Sequence, residues 1–485
     1  LKRYLYEKTQ SCFEIVQLGW QKQGFWAWCN GIYNGSFKET DKNGIVTYNN
    51  ENYYLPASSN IYAGEDGLFV SERRFKFKNG IITLYEYSQK LMDVFGENAM
   101  FGICFYIASL FRDHIAKLFG FFPILNLFGP KGAGKTELAI SLLQFFGHQT
   151  KGPNITNTTK AALADHVALF SNSCCHIDEY KNNLEYEKIE FLKGLWDGTG
   201  RTKMNMDKDK KKETTHVDRG IILSGQEMPT ADIALFSRLI FLSFSKVEYT
   251  DDEKVLFNDL KGVEKLGLSH ITHELLGHRK EFITRFLENY TSASEDLTEA
   301  LGRMVIEDRI FRNWLVIIAA YKTLKDNIEV PWIYSKLIDH AARLIVRQNS
   351  ETKKSNELSI FWNIVEFLAN NNEIKEDVDF KIDPAHKLKT DLVNSEWSEA
   401  KNILFLNHSR VFQLYRVHGN RAKENILPLK TLEYYLMNSK EYLGRKASVS
   451  FRVEDNNRVV EDVNMAASID GSEKKRSTRR ITTAM

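Results

Sequence analysis

The spacing of apolar and polar positions changes character along the chain, and the changes mark out its parts. From Leu1 to about Tyr87, short aromatic-rich runs alternate with Asn-Gly and Gly turns, in GWQKQGFWAWCNGIYNGSF, KNGIVTYNNENYYLPASS and GLFVSERRFKFKNGIITLYEY. Such runs predict short strands joined by tight turns, a β-rich domain over 1–87. From Ser88 to Phe121 the period lengthens: Leu91, Val94 and Phe95, then Ile107, Leu110 and Phe111, recur at three- and four-residue steps, the mark of helices. Pro123 stops that pattern, and ILNLF (124–128) reads as a short buried strand. Further short apolar runs follow at 173–179 (SCCHIDE), at 219–226 (RGIILSGQ) and after Ser237 (RLIFLSF), with helical stretches between them. Strands alternating with helices across 88–250 predict an α/β core, a parallel sheet flanked by helices. A helical region over 251–350 comes next. The segment 351–453 mixes amphipathic helices with a strand-like end, KASVSFRV. The polar tail 454–485, which carries EKKRSTRR, predicts no structure. No internal repeat is visible.

Composition narrows this picture without redirecting it. At 485 residues the chain exceeds what one hydrophobic core fills, so two to four domains are expected. Lys plus Arg number 65 against 63 Asp plus Glu, a net charge of +2, which excludes a polycation; any nucleic-acid surface has to be a local patch. The five cysteines (Cys12, Cys29, Cys104, Cys174, Cys175) form no CxxC pair, and their odd number argues against a disulfide framework and for a reducing cytoplasm. The longest apolar stretch, Phe101 to Leu125, is interrupted by Arg112, Asp113, His114 and Lys117, so no membrane span is expected. The chain opens on Leu1 and lacks a signal pattern, which is the expectation for a fragment or processed chain with an upstream domain missing.

The chemistry concentrates between 129 and 238. Gly129-Pro130-Lys131-Gly132-Ala133-Gly134-Lys135-Thr136 fits GxxxxGK[ST] and lies between an apolar strand and the amphipathic run ELAISLLQFF. Glycines let successive backbone N–H groups turn inward onto phosphate oxygens, and the following helix adds its positive end. Lys135 would reach the β and γ phosphates of ATP, and the Thr136 hydroxyl would ligate Mg2+. The strand-like run ending in Asp178 and Glu179 supplies carboxylates: Asp178 for the magnesium shell, Glu179 as general base toward water. At the end of the next apolar run, Gln226 or Ser224 is placed to orient that water. Arg238 precedes another apolar strand, where it could reach a neighbouring subunit's ATP and stabilise transition-state charge.

Between the acid pair and the Ser224 strand, RTKMNMD and ETTHVDR read as two arms of a hairpin whose tip carries Lys208, Lys210, Lys211 and Lys212. A tethered lysine cluster contacts phosphates without reading bases. The N-terminal aromatics (Trp20, Phe25, Trp26, Trp28, Tyr33, Tyr53, Tyr54) either stack on bases or, as such residues more often do, fill a small β core. His270, His273 and His278 do not form a zinc signature, because His273 and His278 stand five apart where HExxH needs four; they read as a solvated helix.

The ordered set GPKGAGKT, CCHIDE, lysine-tipped hairpin, IILSGQ and SRL resembles the superfamily-three and phage or plasmid primase–helicase branch of the AAA+ motors, over about Ser88 to Ser245. The resemblance implies a hexameric ring with ATP between subunits and Arg238 acting in trans. It also implies a hairpin lining a DNA channel, a primase domain upstream or as partner, and a winged-helix module within Glu357–Val453. Two departures stand out: Gln226 where such motors often carry Asn, and a carboxylate strand less aliphatic than usual at Cys174, Cys175 and His176. The leading expectation is therefore an ATP-dependent DNA helicase or translocase in mobile-element replication. An AAA+ machine acting on protein is the alternative; a protein-threading loop usually offers an aromatic, and this hairpin tip has none. A small-molecule P-loop kinase ranks last, since it rarely needs an Asp-Glu pair with a distal arginine.

Overall fold

The computed structural model describes residues 9, 11–147, 150–204, 212–230, 232–246, 248–354, 358–422, 424, 426–439, 442–446, 449–452, 478–481 and 483–484. The chain forms two compact units, Leu1–Thr352 and Lys353–Met485.

In the first unit, short strands arise where the sequence alternates aromatics with turns. Strands β1 (Cys12–Glu14), β6 (Ile45–Tyr48) and β7 (Glu51–Tyr54) form one small sheet, with β7 central. Strands β2 (Leu18–Trp20), β3 (Trp26–Trp28), β4 (Gly31–Tyr33) and β5 (Phe37–Glu39) form an antiparallel meander. The meander gains a fifth strand from far along the chain: β9 (Phe170–Ser171) pairs in parallel with β2. Phe25, Trp26, Trp28 and Tyr53 are fully or almost fully buried. Trp26 stacks on Phe75 and Phe146, and Phe75 stacks on Phe170 at 4.3 Å. The aromatics of 1–87 thus belong to the same hydrophobic core as the segment that follows them. Of the two roles open to them, these buried rings fill a core; they are not presented to bases.

Helices begin where a capping residue precedes an apolar period. Thr83 and Glu86 form a reciprocal capping box at the start of Leu84–Phe95, as Thr250 and Glu253 do for Asp251–Leu266. Helix Glu97–Leu110 is buried along its whole length from Ala99 and forms the spine of the unit. With Arg112–Phe119 it is apolar enough to suggest a membrane span, but the pair bends by 81°; among the described residues no single helix is long and apolar enough to cross a membrane.

The central sheet contains β8 (Ile124–Phe128), β10 (Cys174–Tyr180), β13 (Gly220–Gly225) and β14 (Leu239–Ser243), in the order β10-β13-β8-β14, all parallel. The four runs read as strands in the sequence are these four strands. A bridge between Asn154 and Asp178 adds one further pairing at the outer side of β10. Between β10 and β13, β11 (Thr199–Met204) and β12 (Lys212–His216) form the antiparallel hairpin expected there. Lys208, Lys210 and Lys211 lie outside the described residues, and Lys212 opens β12.

Helices Ser269–Gly277, Arg279–Leu301, Asp308–Leu324 and Tyr334–Lys354 complete the unit. Two of the histidines read as solvated correct that reading. His270 is half-buried, accepting from Gly80 N at 3.1 Å through Nδ1 and donating through Nε2 to Ile82 O at 2.7 Å. His273 is buried, stacked between Tyr33 at 3.8 Å and Phe77 at 4.2 Å, and accepts a hydrogen bond from Trp28 Nε1 at 2.8 Å. The helix lies against the N-terminal aromatics, a contact between residues about 245 apart that local periodicity does not encode.

The second unit runs helix Ser359–Asn370, a long antiparallel hairpin of β15 (Phe380–Lys389) and β16 (Asn394–Leu406), helices His408–Ala422 and Leu429–Met437, and β17 (Val449–Arg452). The hairpin differs from the mixture of helices read there, because its polar alternation lacks the strong apolar face that signals a strand. β18 (Thr478–Ile481) pairs with β17, and β19 (Thr483–Ala484) pairs with β16. Both fall within the tail for which the sequence predicts no structure.

Candidate functional site

In a parallel sheet the loops after the strand C-termini gather along one edge, and ligands bind there. Here that edge collects the glycine loop after β8, the acid pair on β10 and the polar end of β13. Because β13 lies between β8 and β10, its C-terminal residues stand between the loop and the acids.

The loop has the backbone its glycines allow. Gly129, Gly132 and Gly134 adopt φ of 155°, 82° and 86°, and Gly134 leads directly into helix Lys135–Leu143. At Gly129 a Cβ would overlap the carbonyl oxygen of Phe244, the residue that extends β14 by donating its N–H to Phe128 O at 2.7 Å. Only glycine fits so close to that strand. Lys135 folds back over the loop and donates to Pro130 O at 2.6 Å, its side chain 7% exposed. Burial lowers its pKa, while the nearby carboxylates of Asp178 and Glu179 pull the other way. Thr136 is half-buried in the first helical turn.

On β10 the ladder shifts register between Ile177 and Tyr180, and Glu179 takes a left-handed φ of 64°. A non-glycine residue held there stores strain, which is characteristic of sites where a side chain has been re-aimed. Asp178 is buried. Its Oδ1 accepts from Glu179 N at 2.9 Å and from the Ser224 hydroxyl, and Lys151 Nζ stands 4.0 Å from its Oδ2. His176, two residues earlier and fully buried, shares a 2.8 Å hydrogen bond between Nε2 and Ser224 Oγ. Its Nδ1 accepts from Gly152 N at 3.0 Å. Because Nδ1 is the acceptor, the ring proton sits on Nε2, and the ring donates to Ser224. Burial holds the imidazole neutral, its pKa lowered to about 4.

The two candidates at the end of β13 are thereby separated. Ser224 is buried in contact with Asp178, whereas Gln226 lies exposed, two residues further on. Arg238 is at the other end of the sheet. It immediately precedes β14, whose first residue pairs with Ile124, so the length of a five-residue strand, about 16 Å, separates it from its own glycine loop. Its guanidinium lies over the Trp196 ring at 5.3 Å beside Arg309, and burial together with that like charge lowers its pKa. The structure thus groups Gly129–Thr136, Asp178, Glu179 and Ser224, and keeps Arg238 apart from them.

The sequence did not reveal a cleft of about 680 Å³ that continues from Gly132–Gly134. Phe95, Asn98, Phe244, Tyr249 and Phe257 are among its walls, an apolar lining with a few polar groups and a volume suited to a nucleoside. Its walls come from helices Leu84–Phe95 and Glu97–Leu110, from the chain after β14 and from helix Asp251–Leu266, and no motif links them. His176 carried a weak signal, a histidine set between Cys175 and Ile177 in the apolar half of β10.

The oxygens of Thr136 and Asp178 form a hard donor set that suits Mg2+. Both nitrogens of His176 are engaged elsewhere, and among the described residues no cluster of three or more His, Cys, Asp or Glu could hold a metal by itself. A cation here would be shared with a phosphate ligand.

No family model and no curated protein matches the chain. Among solved structures it is similar to one described as SCCmec type IV Cch, active helicase, with a TM-score of 0.57 and 13% identity over 91% of this chain and 79% of that one. A full-length MCM homologue from Methanopyrus kandleri aligns with a TM-score of 0.33 and 13% identity, over 55% of this chain and 59% of that one. The first of these likenesses establishes a shared fold.

Proposed function

We propose that this chain is an ATP-dependent DNA helicase or translocase of the superfamily-three-like AAA+ type, acting in replication of a phage, plasmid or integrated element. The observation that carries the reading is the convergence of Gly129–Thr136, Asp178, Glu179 and Ser224 at one edge of a parallel sheet, in a fold shared with a solved helicase. In this reading the loop amides and Lys135 bind the phosphates, and the cleft beside Phe95 and Tyr249 takes the nucleoside. Asp178 and Thr136 hold Mg2+, which when bound neutralises phosphate charge. Glu179 accepts the proton of the attacking water. Gln226, exposed at the end of β13, is at most an outer contact to the phosphates.

A homo-hexamer is proposed from the resemblance, and the separation of Arg238 from its own loop, about 16 Å along β14, supports a role for it at a neighbour's nucleotide. The hairpin β11–β12 lies in the chain between β10 and β13, and its lysines Lys208, Lys210, Lys211 and Lys212 are proposed to contact DNA phosphates. The second unit is proposed as the winged-helix-type appendage, with a primase as partner or upstream domain.

The test measures ATP turnover with and without single-stranded DNA, for the intact chain, for Lys135→Ala and for Lys210, Lys211 and Lys212 changed together to Ala. Lys135→Ala is expected to abolish turnover, and the triple change to remove DNA stimulation while sparing basal hydrolysis. Turnover indifferent to DNA, with unaltered DNA binding by the triple variant, defeats the helicase reading.

A further inference from the structure

Three polar side chains, His176, Asp178 and Ser224, are buried on two neighbouring strands of the parallel sheet, where aliphatic ones are ordinarily found. His176 lies within β10 and Ser224 within β13; both are buried, and because His176 pairs with Ile222, Ser224 stands two residues on along the same face, within reach of the imidazole. Each donor and acceptor is used in one direction only. Gly152 N–H donates to His176 Nδ1 at 3.0 Å, His176 Nε2–H donates to Ser224 Oγ at 2.8 Å, and Ser224 Oγ–H is left to donate to Asp178 Oδ1. The chain of bonds cannot run the other way, because a backbone N–H cannot accept. Burying these groups costs free energy that a valine and an alanine would not, and the cost is offset only when every partner is present.

The backbone protects the arrangement. A Cβ on Gly152 would overlap the His176 carbonyl, so only glycine brings this N–H up to the ring. The same loop grips Asp178 from the other side, since Asp178 N donates to Pro153 O at 2.9 Å and Ile155 N donates to Asp178 O at 2.9 Å. With Oδ1 taking bonds from Ser224 and Glu179 N, the carboxylate is fixed in rotation, and Oδ2, which stands 4.0 Å from Lys151 Nζ, is the oxygen proposed to meet the cation.

We propose that His176 and Ser224 are positioning residues for Asp178, a relay that orders the Mg2+-binding carboxylate from the 152–155 loop, and that Ser224, not Gln226, is the functional group at the end of β13. The proposal rests on the ATPase reading of the site. It assigns the relay to orientation: neither side chain touches nucleotide. Groups behind a metal ligand typically shift metal affinity or turnover by about 10–100-fold when removed.

The experiment compares the full chain with His176→Leu, His176→Gln, Ser224→Ala and the Ser224→Ala/His176→Leu double variant. Two quantities are read: the Mg2+ dependence of turnover at saturating ATP, and the Mg2+ dependence of binding of a fluorescent, non-hydrolysable ATP analogue. His176→Leu and Ser224→Ala are each expected to lower kcat about tenfold or more and to raise the half-saturating Mg2+ concentration for analogue binding severalfold. KM for ATP at saturating Mg2+ stays within about twofold. His176→Gln, which keeps a donor and an acceptor, recovers most of both, and the double variant is no worse than the worse single one.

A purely structural role would lower thermal stability and leave the Mg2+ curves unmoved; that result overturns the proposal, as does multiplication of the two single effects in the double variant. Should His176→Leu fail to fold, unchanged Mg2+ curves in Ser224→Ala overturn it equally. If the unaltered chain proves not to hydrolyse ATP, the function reading falls, while analogue binding still reports on the relay.

Discussion

Replacing Gly129 with Ala tests whether the approach of the glycine loop to β14 matters as the geometry says. The added Cβ would overlap the Phe244 carbonyl oxygen and lie 3.0 Å from its carbon. Ordinary carbon–oxygen contacts begin near 3.3 Å, so the loop or the strand end has to move by about 1 Å. Phe244 is tied to Phe128 by a 2.7 Å hydrogen bond, which makes the loop the partner that yields. Strain of this kind costs about 1–3 kcal/mol, and a 1 Å misplacement of a phosphate cradle costs about 100-fold in turnover. Gly132→Ala is the control: φ is 82°, yet a Cβ there meets open space. It carries only the left-handed penalty, about 1–2 kcal/mol, without the collision. Thermal unfolding with and without ATP, alongside steady-state turnover, separates the two. Gly129→Ala is expected to lose nucleotide-induced stabilisation and about two orders of magnitude in turnover, and Gly132→Ala to keep a measurable share of both. Equal behaviour of the two variants, or normal turnover by Gly129→Ala, refutes the reasoning.

Glu179→Gly should remove both a left-handed strain and the proposed base; the variant is expected to be about 1 kcal/mol more stable and inactive, and a stability loss in chemical denaturation counts against the strain argument. Burial lowers the pKa of His273 to about 3, so below its unfolded pKa near 6.5 the unfolded chain takes up a proton that the folded core refuses; stability is full above that pH and is lost as the pH falls toward 3, by about 2 kcal/mol at pH 5. His273→Phe is expected to be less stable at pH 7, because Trp28 Nε1–H loses its acceptor, yet to show a shallower drop in denaturation midpoint between pH 7 and 5; an unchanged drop excludes His273 as the source. Mixing Arg238→Ala with Glu179→Gln subunits should restore part of the ATPase that each lacks alone, since some interfaces then carry both groups; no recovery removes Arg238 from the neighbour's site.

Period and punctuation, read locally, were enough for the elements of the central sheet. A five-residue run with four apolar positions between Pro123 and Gly129 has few options besides a strand, and GxxxxGK[ST] after it suggests the chemistry of the loop through residues adjacent in the chain. The acid pair was legible for the same reason. What pairs with what was not, because strand partners are chosen by burial over long separations. β9 joining the N-terminal meander, and His273 packed into the aromatics of that meander, depend on residues 150 or more positions apart. The hairpin β15–β16 was missed because its exposed faces leave no apolar alternation to detect. In the site, sequence reasoning named the candidate groups, while tertiary structure supplied their order and support. The placement of β13 between β8 and β10 set Ser224 against Asp178, and left Gln226 in solvent and Arg238 at the far end. A sequence names which groups a chain owns; only the register of neighbouring strands decides which of them lie within a hydrogen bond of one another.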